Sequence, residues 1–249
     1  MTKKESYGLG NLHNELLDLM CFIHSFCETN GIKYSLTGGS LLGAIRHNGF
    51  IPWDDDFDIM FDRCNYEKFI IAMSNATDLE YILEQDQWVY RVRKCHKING
   101  YVPSIDLFVM DRVPNSKIVN KIQIIRLMVL QGMLRENSMY REYSWFYSFC
   151  IKVTAFLGHF FNKKNLFSRY DKVSQIGNKK GSKHLSIFND KFKLISYQYK
   201  DNIMDGYELH KFENKEFFII TRYEDYLKKQ FGDYMQLPPE KERAPQHIY

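Results

Sequence analysis

The chain has 249 residues, of which 45% are hydrophobic and 16% aromatic, enough for one large domain or a core with an appended subdomain. Its net charge is +4, and its 5 cysteines form no CxxC pair, a pattern that fits reduced thiols in the cytoplasm and excludes a zinc ribbon. The longest predominantly apolar run, residues 145–161, contains Lys152 and His159 and falls short of the roughly 20 residues of a spanning helix, and no signal peptide opens the chain.

In chain order, residues 9–30 read as an amphipathic helix, with Leu9, Leu12, Leu16, Leu19, Met20, Ile23 and Phe26 near one stripe and Asn30-Gly31 ending it. Residues 32–37 read as a short strand that runs into the turn Gly38-Gly39-Ser40, and residues 41–46 as a helix. Residues 57–61 read as a second strand. Asp56 and Asp58 flank Phe57, so on an extended backbone both carboxylates point to the same side. Two carboxylates on one face repel each other unless a cation sits between them. Oxygen-only ligands of this kind suit Mg²⁺ or Mn²⁺ bound to a substrate phosphate.

Ile59, Met60 and Phe61 mark the strand as buried, which argues against a solvated acidic turn. The glycine turn brings backbone amides close to a phosphate, and Ser40 adds a hydroxyl at the helix start. The combination points to phosphoryl transfer from a nucleotide. Asp55, and less strongly Asp54, can orient a metal-bound water or cap the start of the strand. Arg46 can neutralise the acids or grip a donor phosphate bidentately, and the second role is favoured. His47 reads as a surface histidine.

Asn65 is the expected cap of a helix through Ser74, and strands are expected over 79–83, 88–94 and 104–110. Arg91 and Arg93 share one face of the middle strand, which fits either an arginine reaching the acids or surface charges on an edge strand. Asp106 lies between Ile105 and Leu107 on an apolar strand, where a carboxylate needs a partner: a metal, a proton from a hydroxyl, a backbone amide or an arginine. Pro114-Asn115-Ser116 marks a boundary, and residues 117–176 carry three helices broken near Asn137-Ser138 and Asn162. A loop follows over 177–181, then a short helix over 221–230 stopped by Gly232, then a proline-rich extended tail from 237 that includes His247.

Charge divides unevenly along this order. Residues 112–183 carry 14 Lys/Arg against 3 Asp/Glu, a net +11, and are rich in aromatics; residues 1–111 carry 10 against 16. A basic aromatic block fits the interface of an anionic membrane, a polyanionic glycan, or a helical subdomain with a basic outer face. No recognition motif for nucleic acid accompanies the charge.

The words Gly38-Gly39-Ser40-Leu41-Leu42-Gly43-Ala44 and Gly49-Phe50-Ile51-Pro52-Trp53-Asp54-Asp55-Asp56-Phe57-Asp58 resemble the signature of the LicD family, which includes the fukutin-type proteins. Ser104-Ile105-Asp106-Leu107-Phe108 fits the same pattern, as do Tyr226-Leu227, Phe231-Gly232-Asp233-Tyr234-Met235 and Pro238-Pro239-Glu240-Lys241. The resemblance implies an α+β fold: a nucleotidyltransferase-like mixed β-sheet core with flanking helices and a helical insertion. It divides the chain into a catalytic core over 1–111, a basic helical subdomain over 112–183, and a segment over 184–249 that completes the core.

The resemblance also implies that Asp106 lies beside Asp56 and Asp58, the three serving as catalytic and metal-binding carboxylates. Gly38, Gly39, Ser40, Arg46, Asp55 and Arg91 would then meet the donor. The implied activity is Mg²⁺- or Mn²⁺-dependent transfer of a phospho-alcohol, foremost phosphorylcholine, from a CDP-alcohol donor to a glycan or lipid-linked glycan. The implied location is cytoplasmic, peripheral on the inner face of the membrane, without nucleic acid. The alternative reading is a metal-dependent nucleotide-sugar glycosyltransferase, which also uses Asp-x-Asp.

Overall fold

Helical and strand periodicities alternate along the chain, and the backbone follows them. The computed structural model describes residues 7–76, 80–95, 102–135, 145–179, 181–192 and 194–245. Its elements begin with α1 (Gly10–Thr29), β1 (Ser35–Leu36), α2 (Gly38–His47), β2 (Asp58–Asp62), α3 (Arg63–Asn75), β3 (Tyr81–Asp86), β4 (Val89–Lys94) and β5 (Ser104–Pro114). They continue with α4 (Lys117–Leu134), α5 (Trp145–Gly158), α6 (Lys163–Ser174), β6 (Gly181–Ile187), β7 (Tyr199–Lys200), β8 (Tyr207–Phe212), β9 (Lys215–Ile220) and α7 (Tyr223–Phe231). The class is α+β, as expected.

The chain forms two units, one of Met1–Glu84, Tyr90–Val109 and Asn202–Tyr249, the other of Gln85–Val89 and Met110–Asp201. In the first unit the strands lie in the order β1-β2-β5-β4-β3. β1 pairs antiparallel with β2, with Leu36 opposite Ile59, and β4 pairs antiparallel with β5, with Arg91 opposite Asp106. The sheet is apolar at Leu36, Ile59, Met60, Phe61, Ile105 and Leu107, all fully buried, and α1 buries Leu16, Leu19, Met20 and Ile23. Each such side chain contributes about 1.5–3 kcal/mol of transfer free energy. The hairpin β8–β9 joins this unit where the Ile220 N–H donates to Ser35 Oγ at 2.9 Å, a bond in which both partners are buried.

In the second unit, α4 packs against both α5 and α6. Leu127, Leu134, Leu166, Tyr170, Val173, Phe188 and Ile195 form its core together with Trp88. Two buried amides close the helix interface: Gln123 Nε2 donates to the Val173 and Ser174 carbonyls, and Gln131 Nε2 to Tyr170 Oη and the Asp190 carbonyl. The second half of β5 pairs antiparallel with β6, and β6 with β7.

Several boundaries differ from the sequence expectation. α2 begins at Gly38, so the glycine turn is itself the first turn of the helix. α3 is capped by Asp62, whose side chain accepts the Asn65 N–H; Asn65 sits inside the helix it was expected to cap. Asn162 caps α6 as expected, by accepting the Lys164 and Asn165 N–H groups. The break expected near Asn137-Ser138 lies outside the described residues, as does His247. The tail is extended only in part, since a 3-10 turn occupies Glu240–Glu242. Among the described residues no helix is long and apolar enough to cross a membrane.

Candidate active site

Thr37 enters α2 in an extended conformation, and Gly38 turns the chain with φ 53°, a region L side chains rarely adopt. A Cβ on Gly38 would come within 3.1 Å of Asp58 Oδ2, and one on Gly39 would collide with Asp54 Oδ2. The two glycines thus let two carboxylates rest directly on the start of the helix, where the partial positive charge of the N-terminus favours them. Both backbone groups of Asp58 are tied to the same turn. Its N–H donates to Ser40 Oγ at 2.8 Å and its carbonyl accepts the Thr37 N–H at 3.2 Å. Ser40 Oγ thus commits one of its two lone pairs to fixing the strand.

β2 begins at Asp58, and Asp56 lies on its approach. Burial nevertheless alternates through the segment: Phe57 is buried between half-buried Asp56 and Asp58. The Phe57 ring anchors it, 5.6 Å from Phe50 and 5.3 Å from Phe212 in edge contacts. The Asp106 N–H donates to the Phe57 carbonyl at 3.1 Å, which sets Asp106 beside the Asp56–Asp58 segment. Its carboxylate is gripped by Arg91, with Nε and Nη2 2.9 and 3.2 Å from the two oxygens. Of the partners open to a carboxylate on an apolar strand, this structure shows the arginine.

Among the described residues no group of three or more His, Cys, Asp or Glu is gathered as a metal would need. Two carboxylates, Asp56 and Asp58, flank Phe57 here, and a divalent cation on them would need substrate phosphate and water for its remaining oxygens. Asp55 is half-buried in the same loop, next to Asp54.

Arg46 sits at the far end of α2. Its Nη1 donates to the Tyr234 and Gln236 carbonyls at 3.0 and 3.2 Å, and its Nε to His47 Nε2 at 3.0 Å. It fastens the C-terminal segment to the helix while remaining close enough to Asp54 to feel its charge. Burial, then the nearby Arg243, lowers its pKa from the ordinary value, and Asp54 opposes them. Arg243 lies over the Trp53 ring, 5.6 Å from its centre, and His47 meets the same ring edge-on.

Three further residues build the site. Tyr226, from α7, is buried, and its hydroxyl pairs with Thr37 Oγ1 at 2.7 Å and receives the Gly38 N–H at 3.4 Å. His13 Nε2 lies 2.7 Å from the Asp54 carbonyl, and its ring stacks on Phe50 with centres 4.2 Å apart. Glu213, at the tip of the β8–β9 hairpin, accepts the Phe50 N–H at 3.2 Å and donates its own N–H to the Asn48 carbonyl at 2.8 Å. Tyr226 stands in one of the family-like words of the sequence. Nothing local in the sequence marks His13 or Glu213.

Residues 31–103 match the family described as LicD/FKTN/FKRP, nucleotidyltransferase domain. Over 264 aligned positions the chain is 28% identical to the lipopolysaccharide cholinephosphotransferase LicD of Haemophilus influenzae, covering 93% of each protein. The chain thus carries a LicD-type nucleotidyltransferase domain over residues 31–103 and is similar to a LicD protein along nearly its whole length. A 38-residue segment is also 50% identical to the ribitol 5-phosphate transferase FKRP of Homo sapiens, covering 15% of this chain and 8% of that protein. The family-model match, residues 31–103, contains the glycine turn, the acidic loop and Arg91. Asp106, Glu213 and Tyr226 lie beyond it and are brought to it by the fold.

Proposed function

We propose that this chain is an enzyme that transfers a phospho-alcohol, foremost phosphorylcholine, from a CDP-activated donor to a sugar hydroxyl of a glycan or its lipid-linked precursor. The observation that carries this reading is the seating of the Asp54 and Asp58 carboxylates on the glycines that open α2, next to Asp106. The likeness to a cholinephosphotransferase along nearly the whole chain supports it. The short match to a ribitol 5-phosphate transferase keeps the alcohol open to ribitol.

In this reading the donor's pyrophosphate lies beside the Asp54 and Asp58 carboxylates at the start of α2, where the Ser40 hydroxyl would meet it. Asp56 and Asp58 would hold Mg²⁺ or Mn²⁺, which would offset charge on the transferring phosphoryl group. Arg91 turns its guanidinium from Asp106 to a phosphate oxygen, a bidentate partner of the same shape. Asp106, released, takes the proton of the sugar hydroxyl as that oxygen bonds to the β-phosphorus. The bond from the β-phosphorus to the bridging oxygen breaks, and CMP leaves with the electron pair.

The test is incubation of the purified protein and a glycan acceptor with CDP-choline, CDP-ribitol, CDP-glycerol or UDP-sugars, with and without Mg²⁺. Release of CMP with a matching mass gain on the glycan supports the proposal. Release of UDP with a gain of one sugar would make the chain a glycosyltransferase instead.

A further inference from the structure

Exposed large apolar residues gather on α4 and α5 more than elsewhere among the described residues. On α4, Ile118, Ile122, Ile125 and Val129 are 71%, 51%, 60% and 42% exposed; on α5 and its end, Phe149, Val153, Phe156 and Phe160 are 56%, 41%, 64% and 72% exposed. Both sets follow the same spacing, i, i+4, i+7, i+11, which draws a continuous stripe along a helix. Soluble surfaces usually carry such residues singly, and a contiguous apolar patch marks a binding face.

The stripe on α4 does not substitute for a core. The opposite side of that helix buries Gln123, Leu127, Gln131 and Leu134. At about 100° per residue, the exposed stripe and the buried one lie on opposite sides of α4, with Lys121 and Arg126 roughly 70° to either side of the exposed stripe. On α5 the exposed Lys152 holds the same place relative to Phe149 that Lys121 holds relative to Ile118. Neither helix contains an acidic residue. Exposed Lys117, Lys163 and Lys164 add to the charge at the ends of α4 and α6.

We infer that the exposed faces of α4 and α5 form a membrane-docking surface that lies in the interface of an anionic lipid bilayer. An apolar stripe edged by Lys and Arg is the form a helix takes when it rests at the headgroup boundary with its cations on the lipid phosphates. A protein partner of equal apolarity would need carboxylates facing Lys121, Arg126 and Lys152. A second copy of this surface cannot supply them, because neither helix has an acidic residue, and pairing it with itself brings like charges together. Neither helix is fit to cross the bilayer, so the surface rests on it. This inference stands apart from the transfer chemistry, since no residue of the two helices belongs to the acidic site.

Flotation of the full chain with vesicles tests it. The probes are vesicles of phosphatidylcholine alone and of phosphatidylcholine mixed with phosphatidylglycerol. The protein is expected to float with the anionic vesicles and to keep part of its binding at high salt. Lys121→Gln with Arg126→Gln and Lys152→Gln is expected to lower anionic binding on the order of a hundredfold, at roughly fivefold per charge near the surface. Phe156→Ser with Phe160→Ser is expected to remove the salt-resistant part. Both side chains are exposed, so the circular dichroism and melting temperature should not change. Equal binding to the two vesicle types, or no binding to either, overturns the inference. So does a concentration-dependent dimer of the wild type that Phe156→Ser with Phe160→Ser dissociates, which would assign the stripes to self-association.

Discussion

At the scale of single residues, the account turns on how closely carboxylates approach the start of α2. Asp56→Asn and Asp58→Asn are predicted to abolish turnover while leaving the fold intact, since at Asp58 the relief of repulsion is offset by the loss of a charge that the start of α2 favours. Activity near wild type at saturating Mg²⁺ would remove the two residues from the site. Asp106→Asn is predicted to reduce kcat more than donor affinity, and Arg91→Lys the reverse, since lysine loses the bidentate grip. Steady-state kinetics with calorimetric donor binding separates the two effects.

The glycines divide in the same way. Gly39→Ala pushes against Asp54 Oδ2, the end of a side chain, so activity should fall while stability changes by less than about 1 kcal/mol. Gly43→Ala sets its Cβ 2.5 Å from the Gly49 carbonyl oxygen, which is backbone, and is predicted to destabilise by about 1–3 kcal/mol in denaturant unfolding.

At the scale of elements, the site depends on parts that arrive late in the chain. Tyr226→Phe removes the hydroxyl that Thr37 and Gly38 share, and should cost about 0.5–1.5 kcal/mol of stability with a larger relative fall in activity. Glu213→Ala frees the Phe50 N–H and loosens the loop that carries the acids. Its signature would be a raised donor KM with a stability loss of about 1 kcal/mol. An unchanged KM would show that the hairpin is only a brace.

These contacts explain what the sequence could and could not reveal. The stripe of α1 and the apolar runs of β2, β4 and β5 are periodic, and their existence and type were legible. The partner of Asp106 was legible only as a set of alternatives, because cross-strand register decides it, and register is not written in either strand alone. Likewise β6 through β9 and the reach of Glu213 escaped notice: short strands with mixed polarity carry little periodic signal, and the Glu213–Phe50 bond spans 163 residues. The capping of α3 was misplaced by three residues because Asp62 and Asn65 are both good caps, and only the backbone shows which one stands outside the helix.

At the scale of the whole molecule, charge and chemistry are divided along the chain. Acids dominate residues 1–111, where the site lies, and bases dominate 112–183, whose helices expose the apolar stripes. Composition alone gave the sign of the second segment. It did not tell which of its aromatic and aliphatic residues form a core and which stay exposed, because a helix apolar on two opposite sides has no single amphipathic face to read.

The central claim is that the glycine turn and its carboxylates transfer a phospho-alcohol, and mass spectrometry of an acceptor glycan tests it most directly. With CDP-choline and Mg²⁺ the wild type is predicted to add one phosphorylcholine per acceptor and release an equal amount of CMP, while folded Asp58→Asn adds none. An Asp58→Asn protein that modifies the glycan as fast as the wild type, or a wild type that leaves the glycan unchanged with every CDP-alcohol offered, would contradict the account.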